Sequence, residues 1–128
     1  MLFQRIIGLI NYVVSYTRID IAFVSLALMR YLTNPSPTYI KASKRILRYL
    51  AGIITLALVF GTGTTADGTN LYRYSDANYT STDIKIWRSY SGYVFFLNRG
   101  VVASLLKRQT IVALSSTDAE LYSMCKAA

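Results

Sequence analysis

The sequence predicts a mixed fold, α+β or α/β, in which helices come first, strands follow and a helix ends the chain. Apolar residues recur at helical spacing through the first fifty residues, whereas runs rich in β-branched and aromatic residues alternate with turn residues beyond Gly52. The chain has 128 residues, of which 53% are hydrophobic and 16% charged. That length buries a core without disulfides or structural metals. We expect a helical segment at residues 1–52 and a sheet-containing domain at residues 53–128.

Helical spacing is clear in two stretches of the first segment. The first stretch ends before the Asn34–Pro37 breaker, and the second ends at Gly52. The apolar positions are Ile21, Val24, Leu28 and Leu32 in the first stretch, and Ala42, Ile46, Tyr49 and Leu50 in the second. Four basic residues share another face of the second stretch, namely Lys41, Lys44, Arg45 and Arg48. The sequence therefore predicts an amphipathic helix with a basic face.

Strands and a final helix are expected after Gly52. The predicted strands are Ile53–Phe60, Leu71–Asp76, Tyr93–Leu97 and Val101–Leu106, with a turn region at residues 61–68. A tight hairpin is expected at Asn98, Arg99 and Gly100. Thr117 and Glu120 form a capping-box pattern at the start of the last helix. The predicted buried stripe of that helix consists of Leu121, Met124, Cys125 and Ala128.

Composition excludes several kinds of site. The chain has no His and one Cys, which removes His-based triads, Cys/His zinc sites and internal disulfides. Cys125 is expected to be a buried, inert thiol. The net charge is +8, and the first fifty residues hold seven basic residues against one acid. The basic face indicates nucleic acid or an anionic membrane as a partner, and charge does not choose between them.

The N-terminus fits two interpretations. Arg5 precedes an apolar run at residues 6–14, and Val13 with Ser15 is a candidate cleavage pair, so residues 1–15 resemble a signal peptide. The alternative is an ordinary buried helix. Neither this run nor any other reaches the roughly 20 apolar residues of a transmembrane helix.

Two acidic residues are candidates for metal chemistry. Asp76 lies at the end of a predicted strand, and Glu120 lies at the start of the last helix. Carboxylates placed in this way can share divalent ions that assist phosphodiester hydrolysis. Alternatively, Glu120 completes a helix cap and Asp76 ends a strand.

Several blocks of the sequence resemble Ty1/copia-type retrotransposon polyproteins, in the region where the reverse transcriptase connection runs into the RNase H domain. The blocks follow the family's order along nearly the whole chain. They are residues 17–23 (TRIDIAF), 41–52 (KASKRILRYLAG), 74–77 (YSDA), 91–97 (SGYVFFL), 107–109 (KRQ) and 112–120 (VALSSTDAE).

This resemblance implies an incomplete RNase H-like mixed sheet preceded by connection-type helices. It also implies that Asp76 and Glu120 occupy the positions that, with two Mg²⁺ ions, cleave the RNA strand of an RNA–DNA hybrid. The family has further carboxylates, which this sequence ending at Ala128 lacks, and it has Asp and Trp where Asn78 and Tyr79 stand. We therefore expect no ribonuclease activity and no cofactor for the isolated chain.

A second resemblance is shorter. Arg45-Ile46-Leu47-Arg48 matches the Arg-x-Leu-Arg (RxLR) motif of secreted oomycete effectors, which follows a signal peptide and is associated with delivery into host cells. This resemblance implies a secreted, non-enzymatic protein that binds a host protein and suppresses defence or cell death. The same four residues lie inside a copia block, so descent from a retrotransposon also explains them.

Overall fold

The computed structural model describes residues 2–60, 70–79, 87–98 and 100–128. The helices are α1 (Leu2–Tyr16), a short 3-10 helix (Ile19–Ile21), α2 (Ala22–Met29), α3 (Pro37–Gly52) and α4 (Ser116–Ala127). The strands are β1 (Leu71–Asn78), β2 (Tyr90–Leu97) and β3 (Gly100–Arg108). This composition confirms the predicted mixed α+β class. Packing divides the chain into a helical unit, Met1–Leu58, and a sheet unit, Val59–Ala128.

The core of the helical unit is built from residues at helical spacing. Phe3, Ile7 and Ile10 of α1 are buried in one cluster with Ile21, Leu28 and Ile46. Leu28 and Ile46 confirm the two predicted apolar faces, whereas Val24 and Tyr49 are exposed. α3 begins with Pro37 in its first turn, a position that suits proline because the backbone N–H that proline lacks has no partner there. The helix ends at Gly52.

A polar cluster links the segment before α2 to α3. Arg18 forms an ion pair with Asp20 at 2.8 Å, and the Tyr49 hydroxyl donates a hydrogen bond to the same carboxylate, also at 2.8 Å. Partial burial raises the pKa of Asp20, but the hydrogen bonds from Arg18 and Tyr49 outweigh that effect and hold the pKa below its usual range. Arg18 and Asp20 belong to one copia-like block and Tyr49 to another, so these blocks meet in the fold.

The sheet unit contains a three-stranded antiparallel sheet in the order β1-β2-β3. Leu97 pairs with Gly100, which confirms the predicted hairpin. Asn98 adopts a φ of 47°, a left-handed conformation that asparagine tolerates in tight turns. A Cβ atom at position 100 would overlap the ring of Phe60, so any other residue there would force that side chain to move.

The strand predicted at Ile53–Phe60 is wrong. Residues 53–55 form a turn, and residues 56–60 have no regular secondary structure. The side chain of Ile54 is 85% exposed, and the Leu56 carbonyl accepts a hydrogen bond from Arg18 rather than from a neighbouring strand. A β-rich composition forms a strand only where a partner strand pairs with it. The turn predicted at residues 61–68 lies outside the described residues.

α4 packs against β1 and β2 through small residues. Ala119, Ser123 and Ala127 are its buried residues, and the Ser123 hydroxyl donates to the Asp76 carbonyl at 2.8 Å. The predicted stripe is therefore wrong, because its large members, Leu121 and Met124, are exposed. Small side chains let the helix approach the sheet closely enough for that hydrogen bond.

Two further expectations about α4 are corrected. The cap is Ser115 rather than Thr117, because the Ser115 side chain accepts a hydrogen bond from the Asp118 backbone at 3.1 Å. Asp118 in turn accepts from the Leu114 backbone at 3.2 Å. Cys125 is exposed, since it belongs to the outer face of the helix, so the expected burial of its thiol is also wrong.

Candidate functional site

The Arg-x-Leu-Arg segment lies in the middle of α3 with its residues divided between core and surface. Arg45 and Arg48 are exposed, and Leu47 is 41% exposed. Ile46 is only 6% exposed and packs in the core of the helical unit. The variable position of the motif therefore anchors the helix, while its three defining residues face outward.

Arg45 and Arg48 belong to a basic stripe on α3, which consists of Lys41, Lys44, Arg45 and Arg48. All four side chains are exposed, and their spacing of three, four and seven residues places them on one side of the helix. Asp20 is the only acid in residues 1–58, and it is paired with Arg18. The stripe therefore carries positive charge without a free acidic neighbour in its own unit, a surface that attracts polyanions.

The two acidic candidates lie on elements that are packed together. Asp76 is exposed on β1, and Glu120 is half-buried in α4, just after its first turn. Ser123, one helical turn after Glu120, donates to the Asp76 backbone carbonyl. The contact thus joins the helix to the main chain of Asp76 rather than to its carboxylate.

The alternation of side chains along β1 places Asp76 on the face of the strand that lies away from α4. Arg73 reaches α4, where it donates to the Ala127 carbonyl at 3.0 Å. Because side chains alternate along a strand, Asp76 shares the other face of β1 with Tyr72 and Tyr74. On that face the Tyr72 and Phe96 rings are stacked at 5.1 Å. Within residues 2–60, 70–79, 87–98 and 100–128, no group of three or more His, Cys, Asp or Glu residues could hold a metal ion.

A donor set of two carboxylates does not fit the two-metal site that the copia resemblance implies. Each Mg²⁺ ion takes oxygen ligands in a near-octahedral arrangement, and two ions need more shared carboxylates than Asp76 and Glu120 supply.

Sequence reasoning missed the role of Gln109, which lies within a copia-like block. Its side chain is 2% exposed, and its amide nitrogen donates to the Ser91 hydroxyl at 2.8 Å and to the Ala119 carbonyl at 3.0 Å. Its backbone also donates to Ser89. A lone glutamine after two basic residues gives no signal of burial, so only the packing of α4 on the sheet reveals this link.

The N-terminal apolar run forms α1, a helix of 15 residues. In the described part of the chain, no helix is long and apolar enough to span a bilayer.

The chain is similar to proteins of two kinds. It is 40% identical to the secreted RxLR effector protein 161 of Plasmopara viticola over 121 residues, which cover 94% of this chain and 82% of that protein. It is 33% identical over 122 residues to the retrovirus-related Pol polyprotein from transposon RE1 of Arabidopsis thaliana. It is also 36% identical over 118 residues to the Pol polyprotein from transposon TNT 1-94 of Nicotiana tabacum.

Coverage differs sharply between these relatives. The matches span 95% and 92% of this chain but only 8% of each of the two Pol polyproteins. No protein-family profile matches the chain, and no solved structure matches it. Both predicted resemblances are confirmed. The chain therefore belongs to the family of the secreted RxLR effector protein 161, and it is homologous to a short section of retrotransposon Pol polyproteins.

Proposed function

We propose that the protein is a catalytically incomplete, copia-derived RNase H-like fragment that acts on its own as a secreted RxLR-type effector. In this proposal it enters host cells and suppresses defence or cell death by binding a host protein, without catalysis. The relative named as a secreted RxLR effector, which is similar over 82% of its length, supports the proposal.

The observation that carries the proposal is the outward display of the motif. Arg45 and Arg48 are exposed, and Leu47 is partly exposed beside them. Arginine guanidinium groups recognise carboxylates and phosphates with a fixed fork of donors. A receptor could therefore contact the three defining residues without unfolding α3.

Paired arginine and lysine variants test this proposal. We expect Arg45→Ala with Arg48→Ala to reduce entry of the exported protein into cultured cells of a candidate host by about tenfold, because entry depends on the two guanidinium groups rather than on charge alone. The matched control is Lys41→Ala with Lys44→Ala, which removes the same charge from the same stripe. Entry is measured by fluorescence of a labelled C-terminal tag inside the cells. Equal losses in the two variants would contradict the motif, and absence of the protein from the medium of a secreting host would contradict export.

A second function is an RNase H piece of a reverse transcriptase, active only when the missing sequence is supplied. It is supported by Asp76 on β1 and Glu120 on α4, in the order that the copia resemblance implies. Here Mg²⁺ and an RNA–DNA hybrid would be the cofactor and the substrate.

The isolated chain is expected to leave an RNA–DNA hybrid intact in Mg²⁺, because two carboxylates cannot position two ions. The measurement is cleavage of a labelled hybrid, with Asp76→Asn as the matched inactive variant. Hydrolysis by the wild-type chain that Asp76→Asn abolishes would contradict the proposal of a non-enzymatic protein.

A further inference from the structure

We infer that α1 is a structural helix of the folded protein rather than a signal peptide that is cleaved. The basic stripe of α3 is then displayed by the protein that keeps residues 1–15. This inference rests on the proposed function only in taking the motif of α3 as the feature to be displayed. It concerns the segment whose sequence fits both a signal peptide and a buried helix.

Burial is the first observation. Phe3, Ile7 and Ile10 are between 1% and 3% exposed, and they supply half of the six buried residues in the core of the helical unit. The other three are Ile21, Leu28 and Ile46. Cleavage after Ser15 would remove three large side chains at once and leave their partners facing water, a loss far greater than a single core truncation.

The position of the candidate cleavage site is the second observation. Ser15 lies in the last turn of α1, and its hydroxyl donates to the Asn11 carbonyl at 3.0 Å. The backbone amides of Thr17 and Arg18 both donate to the Val13 carbonyl, at 2.9 and 3.0 Å. A protease must unfold such a segment locally before it cuts. In the folded chain, α1 therefore protects the bond after Ser15 from proteases.

The third observation connects α1 to the motif. Ile46 lies between Arg45 and Leu47 and packs in the same cluster as Phe3, Ile7 and Ile10. This contact turns Arg45, Leu47 and Arg48 outward, because a buried Ile46 fixes the rotation of α3 about its axis. Loss of α1 would release that constraint and expose Ile46 as well.

Two neighbouring residues of α1 provide a matched test in the full-length chain. Ile10 is 1% exposed and Leu9 is 67% exposed. We expect Ile10→Ala to speed amide hydrogen exchange in α3 by about 100-fold, whereas Leu9→Ala leaves it within about twofold. If Ile10→Ala does not fold, Ile10→Val is expected to give about fivefold faster exchange. Unchanged exchange in α3 for the Ile10 variants would overturn the inference.

The intact mass of a C-terminally tagged chain, recovered separately from the medium and the cells of a secreting host, tests retention directly. A product in the medium that still contains residues 2–15 supports both the inference and export. A product in the medium that begins near Tyr16, with α3 exchanging as slowly as in the uncut chain, supports export and overturns the inference. Uncut protein found only in the cells contradicts the proposed function and supports the inference.

Discussion

Replacing Ile46 by alanine is expected to lower the free energy of unfolding of the helical unit by about 3 kcal/mol, the typical cost of truncating a buried isoleucine. Ile46 is 6% exposed and lies in a cluster with five other buried residues, so the truncation leaves a cavity among packed side chains that fill it only in part. The measurement is denaturant unfolding followed by far-UV circular dichroism, because three of the four α-helices in the described residues lie in this unit.

Leu47→Ala is the matched control. Leu47 is adjacent in the same helix and loses the same kind of apolar surface, but it is 41% exposed, so a change below about 1 kcal/mol is expected. Equal destabilisation by the two variants would contradict the orientation of α3. The comparison also bears on function, because a variant that replaces all four motif residues by alanine would destabilise the helical unit as well as remove the arginines.

The helices of the first unit were predictable because their burial follows the periodicity of their own residues. Ile21, Leu28 and Ile46 recur at helical spacing and are buried, and Gly52 ends α3 as predicted. The β2–β3 hairpin was predictable for a similar reason, since its turn residues lie next to the strands that they connect. Local signals suffice where an element's own spacing decides its packing.

The wrong predictions concern elements whose structure depends on the strand or sheet that packs against them. Residues 53–60 have the composition of a strand, but no described strand pairs with them. On α4 the larger apolar residues were expected inside, whereas the sheet accepts the small face of Ala119 and Ser123. Sequence periodicity pointed to the face with the larger apolar residues, and only the close packing of helix on sheet selects the face with the small ones.

The candidate site was predictable only to the level of elements. The copia resemblance placed Asp76 on a strand and Glu120 on the last helix, and both placements agree with the structure. The hydrogen bond that joins α4 to β1 runs from Ser123, which lies outside the copia-like blocks, to the backbone carbonyl of Asp76. A hydrogen bond to a backbone carbonyl depends on tertiary packing, so no pattern of residues in the sequence predicts it.

The second large effect is expected at Gln109, whose buried amide group joins the end of β3 to both Ser91 of β2 and the Ala119 carbonyl of α4. Gln109→Glu keeps the shape of the side chain but replaces the donor to Ser91 and Ala119 by a carboxylate oxygen. At neutral pH the buried charge would face an acceptor carbonyl. We expect the sheet unit to lose about 3 kcal/mol or more, the usual cost of an uncompensated buried charge.

The sign of its pH dependence identifies the cause. Burial raises the pKa of the introduced carboxyl in the folded state above its value of about 4.3 in the unfolded chain. The charge-dependent part of the loss is therefore absent below about pH 4 and grows as the pH rises towards neutrality. Urea unfolding of the wild type and the variant at pH 4 and pH 7 measures this difference.

Leu114→Glu adds the same charge at a side chain that is 88% exposed, and it should cost less than about 0.5 kcal/mol. If Gln109→Glu were as stable as this control at pH 7, the Gln109 amide would not stabilise the packing of α4 on the sheet.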